Sequence, residues 1–278
     1  KTGDATMTAL PPNSYELIRP LLLGMDFHLV GRSILAKQTP AQIFVDNHER
    51  PKALFAQAGH RYILAGDSEI DSFNLGIRKM FANIIYPRAV AAGVEGLAIY
   101  YDSPEWEEKM EALLADKEII HAAREYYACK ELKHKWQDFL PEGFQLQLVN
   151  ADLLANTNLK HLDTLKEEMT SERPSVDDFL AKSFGVCAVH ENELAGWCLS
   201  EYNADGRCEI GIETTSDYRQ RGIATALTLA FLEHAFSHGI NEVGWHCFKR
   251  NESSAKTALK AGFNKVRDYK SFIVLLKE

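Results

Sequence analysis

The stretch from Glu209 to Ala224 contains the residues of this chain best suited to chemistry. Two carboxylates, Glu209 and Glu213, lie four positions apart on a predicted strand, and a basic turn with the spacing Arg219-x-x-Gly222-x-Ala224 follows. This turn opens a predicted helix, whose first turn offers free backbone N–H groups and the positive end of the helix dipole. A glycine there lets the backbone approach a ligand closely. The pattern therefore predicts a turn that binds phosphate.

The turn differs from two common phosphate-binding motifs. No Gly-Lys-Ser/Thr follows it, as a Walker loop requires, and it lacks the three glycines of the dinucleotide fingerprint. On the strand, Glu209 and Glu213 share one face with Gly211, because side chains alternate between the two faces of a strand. A carboxylate on that face, Glu209 or Glu213, could act as a general base in a partly desolvated cleft, and Glu213, which lies nearer the turn, could instead orient the backbone. Both could also be solvated strand carboxylates.

The context of the turn resembles the GNAT superfamily of N-acetyltransferases. The family's pyrophosphate loop reads Q/R-x-x-G-x-G/A, and here a strand precedes it (Arg207–Thr214) while a helix (about Arg221–His238) and a strand (Glu242–Phe248) follow. The family's next segment is N-x-x-A-x-x-L-Y-x-K-x-G-F. Five residues fit that frame, with a serine in place of the alanine: Asn251, Ser254, Lys260, Gly262 and Phe263. The resemblance covers roughly residues 142–278.

The resemblance implies a site for acetyl-CoA as the acyl donor. Pyrophosphate binding, mainly through backbone N–H groups, falls on Arg219, Gln220, Arg221, Gly222, Ile223 and Ala224. Further contacts with acetyl-CoA fall on Ile212, Glu213, Thr214 and Thr225, and Asn251 and Ser254 would contact the pantetheine arm. Asn and Ser at the start of a helix also serve as caps. The acetyl group would lie where the strands 207–214 and 242–248 splay apart.

One position departs from the family pattern. The tyrosine that can protonate the leaving thiolate would fall at Ala258, so either another group serves or the thiolate leaves without an acid. Tyr269 is a distant candidate for that acid. His246 could accept a proton, although a buried histidine with one hydrogen bond is the commoner outcome. Cys247 could form an acetyl-enzyme, but a buried cysteine is usually only a small apolar residue.

Composition limits the classes of function. The chain has 278 residues, of which 46% are hydrophobic and 25% charged, as in an ordinary globular protein without a membrane span. A net charge of −8 argues against a nucleic-acid binder and suits a cationic amine substrate. Five dispersed cysteines indicate reduced thiols in a cytoplasmic protein, and no histidine pattern predicts a metal site. Nothing in the sequence shows the oligomeric state, although a homodimer is common for such folds.

The sequence predicts an α/β (α+β) protein with two domains, 1–140 and 141–278. By resemblance the second has a mixed, mostly antiparallel GNAT sheet flanked by helices, closed by strands at 265–268 and 270–276. The first is a second α/β domain, either a degenerate GNAT-like copy or an unrelated cap, in which residues 118–128 could be strand or helix. Where a copy would carry its phosphate loop, the acidic run Gly66–Asp71 predicts that no coenzyme A binds.

The expected function is acetyl transfer from acetyl-CoA to a primary amine of a small molecule, by direct attack in a ternary complex. The whole chain resembles, more loosely, the zwittermicin A-resistance type of acetyltransferase, on the run Glu209–Thr214 and the surroundings of Asn47, Pro51 and Trp106. This implies a role in antibiotic resistance or detoxification. Three alternatives stay open: a non-catalytic protein that binds or senses coenzyme A, a protein N-acetyltransferase, and a transferase of longer acyl chains.

Overall fold

The computed structural model describes residues 7–276, which form two compact units. One unit comprises the residues up to Ala122 together with those from Lys270 onward, and the other comprises Ala123–Tyr269. This division differs from the expected boundary between residues 140 and 141. Residues 124–129 join the second unit because they pair with its strand 243–248, and the last strand of the chain ends in the first unit.

The amino-terminal unit is built on a mixed sheet with the strand order β1-β2-β3-β4-β5-β12. Its strands are β1 (Thr8–Ala9), β2 (Gln42–Val45), β3 (Ala53–Ala58), β4 (Arg61–Gly66), β5 (Gly96–Tyr101) and the end of β12 (Asn264–Leu275). Strands β4 and β5 are parallel, whereas β1–β2, β2–β3, β3–β4 and β5–β12 pair antiparallel. Its α-helices are α1 (Arg19–Leu22), α2 (Val30–Leu35), α3 (Asp71–Met80), α4 (Tyr86–Ala91) and α5 (Glu105–Leu113).

A π-helical segment, Phe81–Ile85, joins α3 to α4, so the chain is helical from residue 71 to 91, as the sequence predicts for 72–92. This helical stretch packs its apolar side on the sheet. Phe81 lies 5.6 Å from the ring of Phe55 and 5.5 Å from that of Tyr62. The short helices between residues 12 and 35 have no counterpart in the sequence analysis.

The carboxyl-terminal unit has the strand order β6-β11-β10-β9-β8-β7. The strands are β6 (Ile119–Cys129, of which 123–129 belong to this unit), β7 (Gln145–Leu148), β8 (Gly185–His190), β9 (Glu193–Ala204), β10 (Arg207–Thr214) and β11 (Glu242–Phe248). The helices are α6 (Ala151–Ala155), α7 (Leu162–Ser171), α8 (Val176–Lys182), α9 (Ile223–Ser237) and α10 (Glu252–Lys260). Strands β10 and β11 are parallel, whereas β6–β11, β9–β10, β8–β9 and β7–β8 pair antiparallel.

Helices cover both faces of this sheet, and the alternation of side chains along the strands explains why. On β9, Cys198 belongs to the core beneath α9, together with Ile210 and Trp245. Its neighbour Trp197 belongs to the core beneath α7 and α8. The helix α9 is buried along nearly its whole length because it is apolar on all sides.

The predicted fold class is confirmed, since both units are α/β with mostly antiparallel sheets flanked by helices. Strands 207–214 and 242–248 match the prediction residue for residue. The two predicted closing strands are wrong in one respect, because residues 264–275 form a single continuous strand, β12. The stretch 119–129, left open between strand and helix, is a strand. Within residues 7–276, no helix is both long and apolar enough to cross a membrane.

Candidate functional site

A cleft opens between the two parallel strands of the carboxyl-terminal unit. Their pairing runs from Arg207↔Glu242 to Ile210↔Trp245, whereas β10 continues to Thr214 and β11 to Phe248. On its other side β10 stays paired with β9 to its end, across a register shift beside Glu209 and Ile210. Because β11 no longer pairs with the end of β10, the backbone of β10 beyond Ile210 is not bonded to β11 on that side, which is where the sequence predicts the acetyl group.

The turn after β10 has the geometry of an anion-binding site. A short 3-10 helix (Ser216–Tyr218) leads to Gln220 and Gly222, whose φ angles are +61° and +85°. Gly222 precedes the first residue of α9, and its carbonyl accepts the first helical hydrogen bond, from Ala226 at 3.1 Å. The N–H groups of the first helical turn have no acceptor within the helix. They therefore point out of the helix end, toward the position where the sequence predicts pyrophosphate.

Arg219 fixes the shape of this turn. Its Nε donates to the carbonyl oxygen of Thr214 at 3.0 Å, and its Nη2 lies 3.1 Å from Oε1 of Glu213. The side chain of Glu213 is 46% exposed. Glu213 is thus held at the mouth of the loop in a polar setting, which suits the orienting role considered for it better than that of a base. Arg221 lies over the ring of Tyr218, with its guanidinium carbon 5.4 Å from the ring centre.

A segment that the sequence analysis did not single out borders the loop. Trp136 donates its indole N–H to Glu233 of α9 at 3.0 Å. A Cβ atom on Gly222 would lie 3.0 Å from the carbonyl oxygen of Phe139, and Nζ of Lys260 lies 5.2 Å from the Phe139 ring centre. A side chain at position 222 would therefore meet backbone. This close approach accounts for the glycine independently of any ligand, and it leaves the helix end open.

The remaining predicted loop residues divide into those that pack and those that face outward. Ile223 and Thr225 are buried, and Ile212 packs partly against the core beneath α9. Ala224 and Thr214 are half-buried, whereas Gln220 and Arg221 are exposed. The predicted contacts of these positions with acetyl-CoA stay a prediction, and they would fall mainly to backbone groups.

Glu209 is the buried acid of the cleft. The residue is 2% exposed, and its Oε1 lies 3.0 Å from Nε2 of His246 on β11. The other ring nitrogen of His246, Nδ1, lies 3.0 Å from the hydroxyl of Tyr269, and Nε of Arg124 donates to that hydroxyl at 2.9 Å. The ring of Tyr126 stacks on His246 at 4.6 Å. These residues come from four different strands and meet on one face of the sheet.

Two glycines leave room for side chains here, one for the cluster around Glu209 and one for the neighbouring Glu201. A Cβ atom on Gly244 would lie 2.9 Å from Cε2 of Tyr126 and 3.0 Å from Cγ of Glu209. A Cβ atom on Gly211 would lie 2.3 Å from a carboxylate oxygen of Glu201. Burial, followed by the negative charges of Glu209 and Glu242, raises the pKa of Tyr126. Tyr126 therefore stays protonated at neutral pH.

Asn251 and Ser254 make helix-capping contacts in the structure. Oδ1 of Asn251 accepts from the backbone N–H of Ser254 at 3.2 Å, and the Ser254 hydroxyl accepts from the indole of Trp245 at 3.0 Å. Their predicted contact with pantetheine stays a prediction. Ala258 is fully buried in the core beneath α9. A tyrosine at that position would have to displace packed neighbours.

The thiols have the properties of core residues. All five cysteines are free and buried. Burial raises the pKa of Cys247 above the ordinary thiol value, so this sulfur is a poor nucleophile. A covalent acetyl-enzyme on Cys247 is not supported, and the cytoplasmic location expected from the cysteines stays a prediction.

Comparisons with known proteins identify the family of this chain. The family model for the GNAT acetyltransferase matches residues 20–272. An uncharacterized N-acetyltransferase of Bacillus subtilis (strain 168), YdfB, is 27% identical over 241 residues, which cover 85% of this chain and 87% of the relative.

Solved structures show the same fold. A GCN5-related N-acetyltransferase-like protein from Streptococcus suis superposes with a TM-score of 0.69 at 19% identity, over 94% of this chain and 99% of that one. A tandem GNAT protein from the clavulanic acid biosynthesis pathway gives a TM-score of 0.61 at 12% identity, over 98% and 99% of the two chains. These likenesses extend through both units, in agreement with a second GNAT-like fold in the amino-terminal half. The chain belongs to the GNAT acetyltransferase family and is an acyltransferase.

Proposed function

We propose that this protein transfers the acetyl group of acetyl-CoA to a primary amine of a small molecule, by direct attack in a ternary complex. The observation that carries the proposal is Glu209, a buried carboxylate placed where β10 and β11 part and held there by His246. A family N-acetyltransferase needs such a base, because only a neutral amine attacks a thioester.

The loop after β10 supplies the donor site. The N–H groups at the start of α9 and the positive φ of Gly222 fit the pyrophosphate of acetyl-CoA. The charges of Arg219 and Arg221 add long-range attraction for the phosphates. The free backbone of β10 beyond Ile210 would bind the thioester end, so that its carbonyl oxygen is polarised by N–H groups.

In the proposed reaction each bond that forms or breaks and the proton that moves can be named. The amine nitrogen attacks the thioester carbon, Glu209 takes the proton that the amine loses, and the C–S bond breaks to release the thiolate of coenzyme A. The buried Ala258 cannot protonate that thiolate. A thiol has a pKa of about 8.5, so its thiolate leaves without a dedicated acid.

The residues expected to lie near the acceptor favour a cationic small molecule as the substrate. A recess beside Gly211 is lined by Trp197, by the three acidic residues Glu168, Glu172 and Glu201, and by one basic residue, Arg173. Because the acids outnumber the arginine, the recess would attract an ammonium group. Together with the looser resemblance to the zwittermicin A-resistance type, this favours resistance or detoxification as the role.

The experiment is thiol release from acetyl-CoA with polyamines, aminoglycosides and amino-polyols as acceptors. Glu209→Gln should lower kcat at neutral pH by about 100-fold or more, and by less at high pH, where more of the amine is already neutral. Glu213→Gln is the matched control on the same strand, and it should change kcat by less than about three-fold.

Three outcomes would contradict the proposal. Equal loss for Glu209→Gln at all pH values would remove Glu209 as the base. Binding of acetyl-CoA without thiol release on any amine would favour a coenzyme A sensor. Release only with peptides or protein amino groups would move the activity to protein acetylation.

A further inference from the structure

The hydrogen bonds around His246 define its protonation state. When Glu209 is ionised it can only accept, so the proton on the imidazole must lie on Nε2, which faces Glu209 Oε1 at 3.0 Å. In the neutral ring Nδ1 is then an acceptor, and it takes the hydroxyl proton of Tyr269 at 3.0 Å. The Tyr269 oxygen in turn accepts from Nε of Arg124 at 2.9 Å. Each donor in this series has an acceptor.

The chain of contacts has a direction because its far end is a permanent cation. Arg124 can only donate, so it orients the Tyr269 hydroxyl proton toward His246. An ionised Glu209 favours a second proton on the imidazole, and the positive charge of Arg124 opposes it. The ring of Tyr126 also stacks on His246, and its hydroxyl lies 3.4 Å from both Glu242 and Arg207.

We propose that Tyr269 and Arg124 are positioning residues that hold His246 neutral and protonated on Nε2, so that it donates to Glu209. Glu209 is thereby kept as the oriented carboxylate that accepts the proton of the amine. This inference rests on the proposed function of Glu209. Tyr269, considered from the sequence as a possible acid for the thiolate, acts in this arrangement through His246 and not on coenzyme A.

The alternative states of His246 are unproductive for a base. In the other tautomer a lone pair on Nε2 would face the carboxylate, and the two would repel each other. With protons on both nitrogens, the imidazolium would form an ion pair with Glu209 and compete with the amine for that carboxylate. Removing the Tyr269 hydroxyl takes away the donor to Nδ1, which favours both of these states.

The direct test is 15N NMR of the imidazole nitrogens in the full-length protein, with His246→Gln used to assign the signal. In the wild type at neutral pH we expect a neutral ring with the proton on Nε2. In Tyr269→Phe we expect a mixture of tautomers or an imidazolium. Tyr126→Phe is the matched control, because it removes a neighbouring tyrosine hydroxyl that contacts Glu242 and Arg207, and it should leave the wild-type signal.

Kinetics provide the second readout. For Tyr269→Phe we expect kcat to fall about ten-fold, because the hydrogen bond that orients His246, and through it Glu209, is lost. The KM for acetyl-CoA should stay within about two-fold. Because His246 protonates more readily without the hydroxyl, the acid limb of the pH profile should move up by about 0.5 to 1 unit. Arg124→Met should move it in the same direction, and Arg124→Lys should restore part of kcat.

The outcomes separate this inference from the proposed function. A wild-type tautomer signal and pH profile in Tyr269→Phe would overturn the inference, while an inactive Glu209→Gln would leave the function standing. A fully active Glu209→Gln would remove the base itself. Equal losses in Tyr269→Phe and Tyr126→Phe, with no change in the His246 signal, would reduce Tyr269 to a packing role.

Discussion

Each unit contains two parallel strands joined by a helix, and the turns that lead into the two helices satisfy their backbone in different ways. In the amino-terminal turn, the N–H of Gly66 donates to Asp102 Oδ2 at 2.8 Å. The N–H of Asp67 donates to the Lys52 carbonyl at 2.8 Å, and that of Glu69 to Asp67 Oδ1 at 2.9 Å. The chain's own oxygens thus occupy the positions that an anion would take.

The carboxyl-terminal turn also bonds part of its own backbone, since the N–H of Thr215 donates to the Ala195 carbonyl at 3.0 Å. The ion pair between Arg219 and Glu213 braces this loop from the side. The two turns share a strand, a positive-φ glycine and a helix, so the fold alone does not distinguish them. What differs is the charge of their side chains, because the acidic run Gly66–Asp71 would repel pyrophosphate and the arginines at 219 and 221 would attract it. We therefore expect a single site for acetyl-CoA per chain.

The largest expected effect comes from a negative charge at the open turn. Gly222→Glu should weaken acetyl-CoA binding by about 100-fold or more, because a carboxylate beside pyrophosphate is strongly repelled. Asp67→Asn in the amino-terminal turn should leave binding unchanged. Calorimetry should give one molecule of acetyl-CoA per wild-type chain. A second equivalent of binding that survives in Gly222→Glu would contradict the comparison.

Alanine substitutions at Gly66 and Gly222 should distinguish an effect on stability from an effect on acetyl-CoA binding. At Gly66, with φ +89°, a Cβ would lie 2.1 Å from the Lys52 carbonyl oxygen, whereas at Gly222 the nearest atom is 3.0 Å away. Gly66→Ala should lower the free energy of unfolding by about 3 kcal/mol or more. Gly222→Ala should lower it by about 1 kcal/mol, the cost of a left-handed residue, while weakening acetyl-CoA binding about ten-fold. Urea unfolding and calorimetry measure both, and the reverse ranking would overturn this contrast.

The charge of the open turn is tested by Arg219→Met. Losing the brace to Thr214 and Glu213 should raise the KM for acetyl-CoA about five- to ten-fold and leave kcat within about two-fold. Arg78→Met, on the helix that follows the amino-terminal turn, serves as a control and should change neither constant. A fall in kcat with unchanged KM would show that Arg219 acts on the reaction and not on donor binding.

The smallest effects are shifts in stability with pH, and they should have opposite signs for the half-buried Asp102 and the buried Glu125. Burial raises the pKa of Asp102 above its usual 3.8. Hydrogen bonds from Lys265 and Tyr127 lower the pKa of Glu125 below its usual 4.5. A raised carboxyl pKa means that stability falls as pH rises through it, and a lowered one means that stability is lost as pH falls through it.

The free energy of unfolding of Asp102→Asn, relative to that of the wild type, should therefore increase as pH rises from about 4 to 7. Glu125→Gln should be less stable than the wild type at about pH 6, and the difference should shrink toward about pH 3. Urea titrations at several pH values measure both. Parallel curves for variant and wild type would show that the acid in question does not contribute through its charge.

The sequence predicts the elements that carry a motif and misses the partners that come from elsewhere. Strands β10 and β11 and the helix between them follow from periodicity and turn signals close together in the chain. Arg124, Tyr126 and Phe139 lie in segments without a motif, and only tertiary contacts bring them to the site. The charged run around Asp268 is typical of a turn, yet β12 continues through it because its ladder is already paired further on.

The two carboxylates of β10 show most clearly what the sequence pattern cannot predict. Glu209 and Glu213 share a face by alternation, so the pattern treats them alike. In the structure the side chain of one is 3% exposed and that of the other 46%. The difference arises because β11 pairs with β10 beside Glu209 and not beside Glu213, and because Gly244 leaves room for the buried carboxylate. Neither cause can be read from the alternation.

The return of β12 has a consequence for synthesis on the ribosome. Phe272 and Val274 are fully buried in the core of the amino-terminal unit, and they pair with residues 97–99 of β5. These residues are translated only after residues 123–269, which contain all the residues of the other unit. The amino-terminal unit must therefore wait, with an open sheet edge and an incomplete core, until residues 270–276 have been made.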